Sequence, residues 1–301
     1  MLFRSFSLLA ALALLTGPAH AKLNVVASLP DFASLAEEIG GDKVKVTSLA
    51  KGTEDPHFVD AKPSFIRVLN QADVLLQGGA DLESGWLPPL VQNARNPRIL
   101  PGAPGHVVLA RGLRLLDVPA KLDRSQGDVH AAGNPHFNLD PANFAPMAAT
   151  LAEAFARLDA ANAPHYAASL RRFTDQLAAR RAEWDKLAAP LRGVKVVTYH
   201  KSFDYLAARF GFDIVGQIEP KPGLEPTPTH ISALIPQAKA AGVRIVLMEP
   251  NRARKTPQFV AESIGAKLVV CPGLVGGAPE AKTCLDLIDH DLRLLVKAVQ
   301  P

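Results

Sequence analysis

From Asp140 to Leu191 the chain has no strand-like alternation, and this interruption decides what the rest can fold into. The segment is rich in Ala, Leu, Arg and Glu, all strong helix formers. Asp140-Pro141 makes a good helix start, with Asp as N-cap and Pro at the first helical position. A second helix is expected from about Ala163-Pro164 to Leu187, roughly 25 residues and about 37 Å at 1.5 Å per residue. That is long enough to span a whole protein. On either side the pattern is different: apolar β-rich runs alternate with helical periodicity.

Before the interruption, strands are predicted at Leu23 to Leu29, Lys43 to Leu49 and Asp73 to Gln77, with helices at Asp31 to Ile39, Ser64 to Leu69 and Trp86 to Ala94. After it, strands are predicted at Val194 to Tyr199, Asp213 to Ile218, Val243 to Met248 and Lys267 to Val270. The helices between and beyond them fall at Ser202 to Phe210, Ile231 to Ala241, Pro257 to Ile264 and Ala281 to Val299. Strands alternating with helices imply parallel sheets covered on both faces. The fold class is therefore α/β: two parallel-sheet lobes, residues 22–145 and 192–301, joined through a helical segment, 146–191, by one long rigid helix.

The N-terminus stands apart from this pattern. Met1-Leu2-Phe3-Arg4 supplies a positive start, Ser7 to Leu15 an apolar stretch too short to span a bilayer, and Ala19-His20-Ala21 a small-x-small cleavage pattern. Residues 1–21 read as a secretory signal peptide. Lys22 rather than Cys follows the cut, so no lipoprotein is expected, and a bacterial periplasm is the economical destination. The charge balance of 33 Lys and Arg against 29 Asp and Glu gives only +4 without a basic run, which argues against nucleic-acid binding. Arg171, Arg172, Arg180 and Arg181 read as the solvated face of the long helix.

No phosphate loop, nucleophile elbow, His-Glu-x-x-His or Cys-x-x-Cys is present. Histidine is the next place for chemistry, since a neutral imidazole is a metal ligand. Asp55-Pro56-His57-Phe58 follows the second strand, Asn134-Pro135-His136-Phe137 follows a Gly-containing loop, and Tyr199-His200 closes the strand beginning at Val194. Ligands of α/β sheets collect beyond the carboxyl ends of strands. In the twin Pro-His-Phe motifs, proline fixes the chain immediately before the imidazole and reduces the entropy lost on binding. His57, His136 and His200 together predict a metal site. His106, His165, His230 and His290 are expected on helices or exposed loops in structural or solvated roles. Thr229 reads as an N-cap, and Asp60 and Asp140 as candidates to orient an imidazole through its other nitrogen.

The chain resembles the metal-specific solute-binding proteins of zinc and manganese ABC importers, the ZnuA/TroA-like group. Asp55-Pro56-His57, Asn134-Pro135-His136 with Leu139-Asp140-Pro141, Tyr199-His200 with Phe203, Pro222-Gly223-Leu224-Glu225-Pro226-Thr227 and Met248-Glu249-Pro250 carry the likeness, which covers essentially the whole mature chain. The resemblance implies two lobes on one rigid helix, metal ligands at His57, His136 and His200 in the cleft between the lobes, and delivery of the ion to a membrane permease. Many members have a fourth ligand, an Asp on the loop before the last helix, where this chain reads Val270-Cys271-Pro272-Gly273-Leu274. Here the fourth position is left to water, Glu54, Glu249, His130 or Cys271. The acidic, histidine-rich insertion of some zinc-binding relatives is reduced to Asp117 to Gly133, which carries only His130.

Zn²⁺ is the expected ligand and Mn²⁺ the less favoured one, because imidazole suits zinc while manganese favours oxygen donors. The protein is expected to be a monomer without catalysis. A secreted zinc hydrolase, using a three-His zinc with bound water, is the alternative reading; an adhesin sharing the fold is a third. Cys271 and Cys284, the only cysteines, either close a loop of about 14 residues, worth roughly 3 kcal/mol, or remain thiols.

Overall fold

A computed structural model describes residues 21–120, 127 and 130–300; the expected signal peptide, apart from Ala21, lies outside them. The first sheet contains β1 (Leu23–Ala27), β2 (Val44–Ser48), β3 (Val74–Gln77) and β4 (His106–Val108) in the order β2-β1-β3-β4. The second repeats that topology with β5 (Lys195–Thr198), β6 (Asp213–Gln217), β7 (Ile245–Met248) and β8 (Lys267–Val270), ordered β6-β5-β7-β8. Every pairing is parallel. In each lobe the order reverses between two central strands, β1 and β3 or β5 and β7. Such a reversal opens a crevice at the strands' carboxyl ends.

Strand β4 was not predicted. At three residues it is too short for alternation to register, and His106, expected on a helix or loop, instead opens it and meets Gln77 Oε1 through Nε2 at 2.9 Å.

The first lobe contains α1 (Pro30–Gly40), α2 (Pro63–Asn70) and α3 (Leu87–Ala94). The central helices are α4 (Phe144–Leu158) and α5 (Ala163–Leu187); α6 (Asp204–Phe210), α7 (Pro228–Ala241), α8 (Lys255–Ile264) and α9 (Cys284–Val299) complete the second lobe. Helix α5 carries Pro164 in its first turn, where the missing N–H costs nothing, and no glycine or further proline interrupts it. Tyr166, Ser169, Phe173, Leu177 and Trp184 form its buried stripe at helical spacing. Through that stripe it packs on α1 and α4 at one end and α9 at the other. Helix α7 is capped by Thr227, whose hydroxyl accepts from the His230 N–H, rather than by Thr229 as expected. Among the described residues no helix is long and apolar enough to cross a membrane.

One apolar core runs through the first lobe, α4, α5 and α9 into the second sheet, and a smaller one lies between that sheet and α7 and α8. Polar contacts join the lobes as well. Buried Asp31 on α1 accepts from Asn138 Nδ2 at 2.8 Å and from the Val275 N–H, on the loop after β8, at 3.0 Å. Burial raises its carboxyl to about 6. Nearby, Gly52 meets the backbone of Val275, Gly276 and Gly277 so closely that a Cβ would fall 2.1 Å from the Val275 oxygen.

Both cysteines are free and buried. Cys271 lies against the carbonyl of Asp291, seven positions along α9 from Cys284, whose N–H donates to Ser34 Oγ on α1. Seven residues of helix advance the axis by about 10 Å, beyond the Cα separation a disulfide spans.

Candidate metal centre

The two Pro-His motifs adopt the same local structure. The side chain two residues before each imidazole accepts from its backbone N–H: Asp55 Oδ1 for His57 and Asn134 Oδ1 for His136, both at 3.0 Å. These are Asx-turns, with proline fixing φ at the middle residue. The spacing Asx-Pro-His already contains this signal; the proline alone had been given the role. Each turn is anchored further. Trp86 Nε1 donates to the Pro56 carbonyl at 3.0 Å, and Asn134 Nδ2 donates across the cleft to the Lys201 carbonyl at 2.9 Å. Tyr205 Oη donates to the Asn134 carbonyl at 2.7 Å.

His200 stands two residues beyond β5, at the reversal point of the second sheet, and is brought against the two turns. One nitrogen from each of His57, His136 and His200 lies within 4.8 Å of the other two. The His57 and His136 Nε2 atoms are 3.2 Å apart. Ring centroids stand 5.1, 5.4 and 5.3 Å apart and every pair meets edge-on, so donor edges converge on a common space rather than stacking away from it. Burial pushes the His57 and His136 imidazoliums well below 6.5, and the neighbouring histidines push in the same direction. Both rings are held in the neutral form that can donate a lone pair.

The orienting partner of His200 is Glu219, just after β6, whose Oε2 meets Nδ1 at 2.7 Å. Accepting the Nδ1 proton leaves Nε2 with its lone pair toward the cluster. Neither Asp60 nor Asp140 has this role. Asp60 is exposed, and Asp140 caps the turn at Ala142 and pairs with Arg209 Nε at 2.7 Å. Glu219 was missed because it lies 19 residues from His200 and meets it only through the pairing of β5 with β6. Arg252 extends the network across the cleft, 3.5 Å from Glu219 and 3.1 Å from Asp55, over the face of Tyr199.

The other histidines lie outside the cluster. His130 stacks on His57 at 5.1 Å. His165 meets the Gly40 carbonyl, His230 the Gln217 carbonyl, and His290 the Asp291 carboxylate.

Two parallel α/β lobes, an unbroken helix between them and three imidazoles facing one another in the cleft define the class of metal-binding receptors that serve ABC importers outside the cytoplasm. The chain belongs to the ZnuA family, zinc-uptake complex component A, periplasmic, whose model matches residues 25–298. It is similar to the high-affinity zinc uptake system protein ZnuA of Paracoccus denitrificans, 25% identical over 320 residues and 94% of each chain. It is also similar to the manganese ABC transporter substrate-binding lipoprotein PsaA of Streptococcus mitis, 26% identical over 235 residues, covering 76% of this chain and 73% of that one. The crystal structure of a ZnuA superposes with a TM-score of 0.77 at 25% identity, over 93% of this chain and all of the other. The chain is thus a solute-binding protein for metal, and the hydrolase reading falls because this family consists of carriers rather than enzymes.

Proposed function

We propose that this protein captures Zn²⁺ with His57, His136 and His200 and delivers it to the membrane permease of an ABC importer. The convergence of three imidazoles carries the reading. Zinc bound to histidine nitrogens at about 2.0 to 2.1 Å in a tetrahedron holds them about 3.3 Å apart, and the His57–His136 separation of 3.2 Å suits that geometry. Among the described residues no carboxylate belongs to the group of converging donors, whereas Mn²⁺ favours several oxygens. The ZnuA family description favours zinc, and the manganese name of the PsaA relative makes selectivity the point to test.

The same proposal includes export by the signal peptide over 1–21 without lipid attachment, action as a monomer, and division into lobes 22–145 and 192–301 with the helical segment 146–191 between them. The test is competition titration of metal-free protein with Zn²⁺ and Mn²⁺ at neutral pH. Zinc is expected to bind more tightly, one ion per chain, and His136→Ala to lose it. Preference for manganese overturns the choice of metal; unchanged zinc affinity in His136→Ala overturns the ligand set.

A further inference from the structure

A buried carboxylate with no partner stands beside the three histidines. Glu249 directly follows β7 and His200 stands two residues beyond β5, so the two occupy neighbouring strand ends where the second sheet's order reverses. Glu249 is only 7% exposed, and neither of its oxygens has a hydrogen-bond partner. With His57, His136 and His200 it lines a cavity of about 30 Å³.

A buried unpaired carboxylate is strongly unfavourable, and proteins keep one where a ligand supplies the partner. The first lobe shows the same problem solved. At its own reversal point Glu83 is fully buried and accepts from Ser28 Oγ at 2.6 Å, from the Gly78 N–H at 2.6 Å and from the Gly79 N–H at 3.1 Å. Ser28 and Gly78 directly follow β1 and β3; in the second lobe Glu249 directly follows β7 and His200 stands two residues beyond β5. One lobe closes its crevice with a satisfied glutamate; the other leaves the glutamate open, facing the histidines.

The other candidates for the fourth position are engaged elsewhere. Glu54 accepts from the Lys51 N–H at 2.9 Å. Cys271 is turned toward α9, and burial raises its thiol well above the ordinary value. His130 stacks against His57 outside the converging group. Glu249 itself stands outside the 4.8 Å group while lining the same cavity, which leaves room for a water beside the three histidines. The cavity exceeds the roughly 10 to 15 Å³ that a water requires.

We propose that Glu249 accepts a hydrogen bond from a water molecule that fills the metal's fourth coordination position. The inference rests on the three-histidine reading above. The water gives a lone pair to the ion and a proton-bearing edge to Glu249, while the carboxylate offsets charge that the neutral imidazoles leave uncompensated. Glu249 is then a positioning residue that favours a tetrahedral ion with one oxygen.

The experiment uses Zn²⁺ alone with the full mature chain, wild type and Glu249→Gln. Affinity is measured by competition with a chromogenic chelator, and Tm with and without zinc. The glutamine variant is expected to melt no lower than wild type when metal-free, because the side chain has no hydrogen bond to lose. Its zinc affinity should fall tenfold or more at unchanged one-to-one stoichiometry. Wild-type affinity in this variant overturns the proposal. Should Glu249→Gln fail to fold, Glu249→Ala is measured the same way under the same criterion. A crystal structure of the zinc-loaded wild type is expected to show water between zinc and Glu249; a carboxylate oxygen at about 2.0 to 2.2 Å from the ion overturns the arrangement. His136→Ala keeps the two readings apart: retained zinc there sinks the triad, whereas failure confined to the Glu249 variants leaves it standing.

Discussion

His200 Nδ1 and Glu219 Oε2 lie 2.7 Å apart, and both side chains are almost wholly buried. The carboxylate fixes the tautomer, the ring orientation and hence the direction of the Nε2 lone pair. Glu219→Ala should therefore weaken zinc binding about 10- to 100-fold, the usual effect of removing a partner of a metal-bound histidine. Competition titration at pH 7.5 checks it; a Kd within twofold of wild type contradicts the role.

Proton competition should set in late. Desolvation holds the folded-state pKa of His57 and His136 well below 6.5, so neither ring takes a proton as pH falls through the range of a free imidazole. Zinc affinity is expected to change little in their account between pH 7.5 and 6.5 and to decline at lower pH. For metal-free stability the sign follows from linkage: these two groups contribute fully above 6.5, and the contribution is lost as the unfolded chain gains protons below it. Affinity measured across pH 5 to 8 is the check, and uptake of three protons per released zinc already at pH 6.5 would refute it.

Arg252 should act as a clasp between the lobes. It pairs with Asp55 at 3.1 Å in the first lobe and Glu219 at 3.5 Å in the second, with side chains only 18% and 16% exposed for the Arg252–Asp55 pair. Arg252→Gln and Asp55→Asn are expected to speed zinc release. Their double-mutant cycle should show coupling of about 0.5 to 3 kcal/mol. Strictly additive effects on the dissociation rate would mean that the pair does not link the lobes.

The cysteines should be inert until the protein unfolds. Burial raises both thiols above their ordinary value, which suppresses the reactive thiolate. Intact mass after alkylation should show no label on the native protein and two labels in denaturant, without reductant. A mature chain that requires reductant before labelling contains the bridge that the packing of α9 excludes.

The architecture was legible because it is periodic: α5 begins and ends at the residues expected from its composition, and β8 covers the predicted Lys267 to Val270. His57, His136 and His200 were legible because proline and strand ends mark them locally. What escaped depends on contacts between distant residues. Glu219 reaches His200 through strand pairing, Glu249 was named for the fourth position but nothing local set it apart from Glu54, His130 and Cys271, and the Cys271–Cys284 spacing says nothing of the helix that separates them.

Gly52 gives the approach of the two loops a limit one carbon atom wide. With the Val275 oxygen only 2.1 Å from where a methyl carbon would sit, the two loops rest directly on each other's backbone, and their closest approach is set by hydrogen where every other residue carries carbon. An alanine there is a doorstop. It leaves the three histidines chemically intact while propping apart the halves that bring them together, so shutting the cleft and furnishing its ligands become separable properties of the same chain.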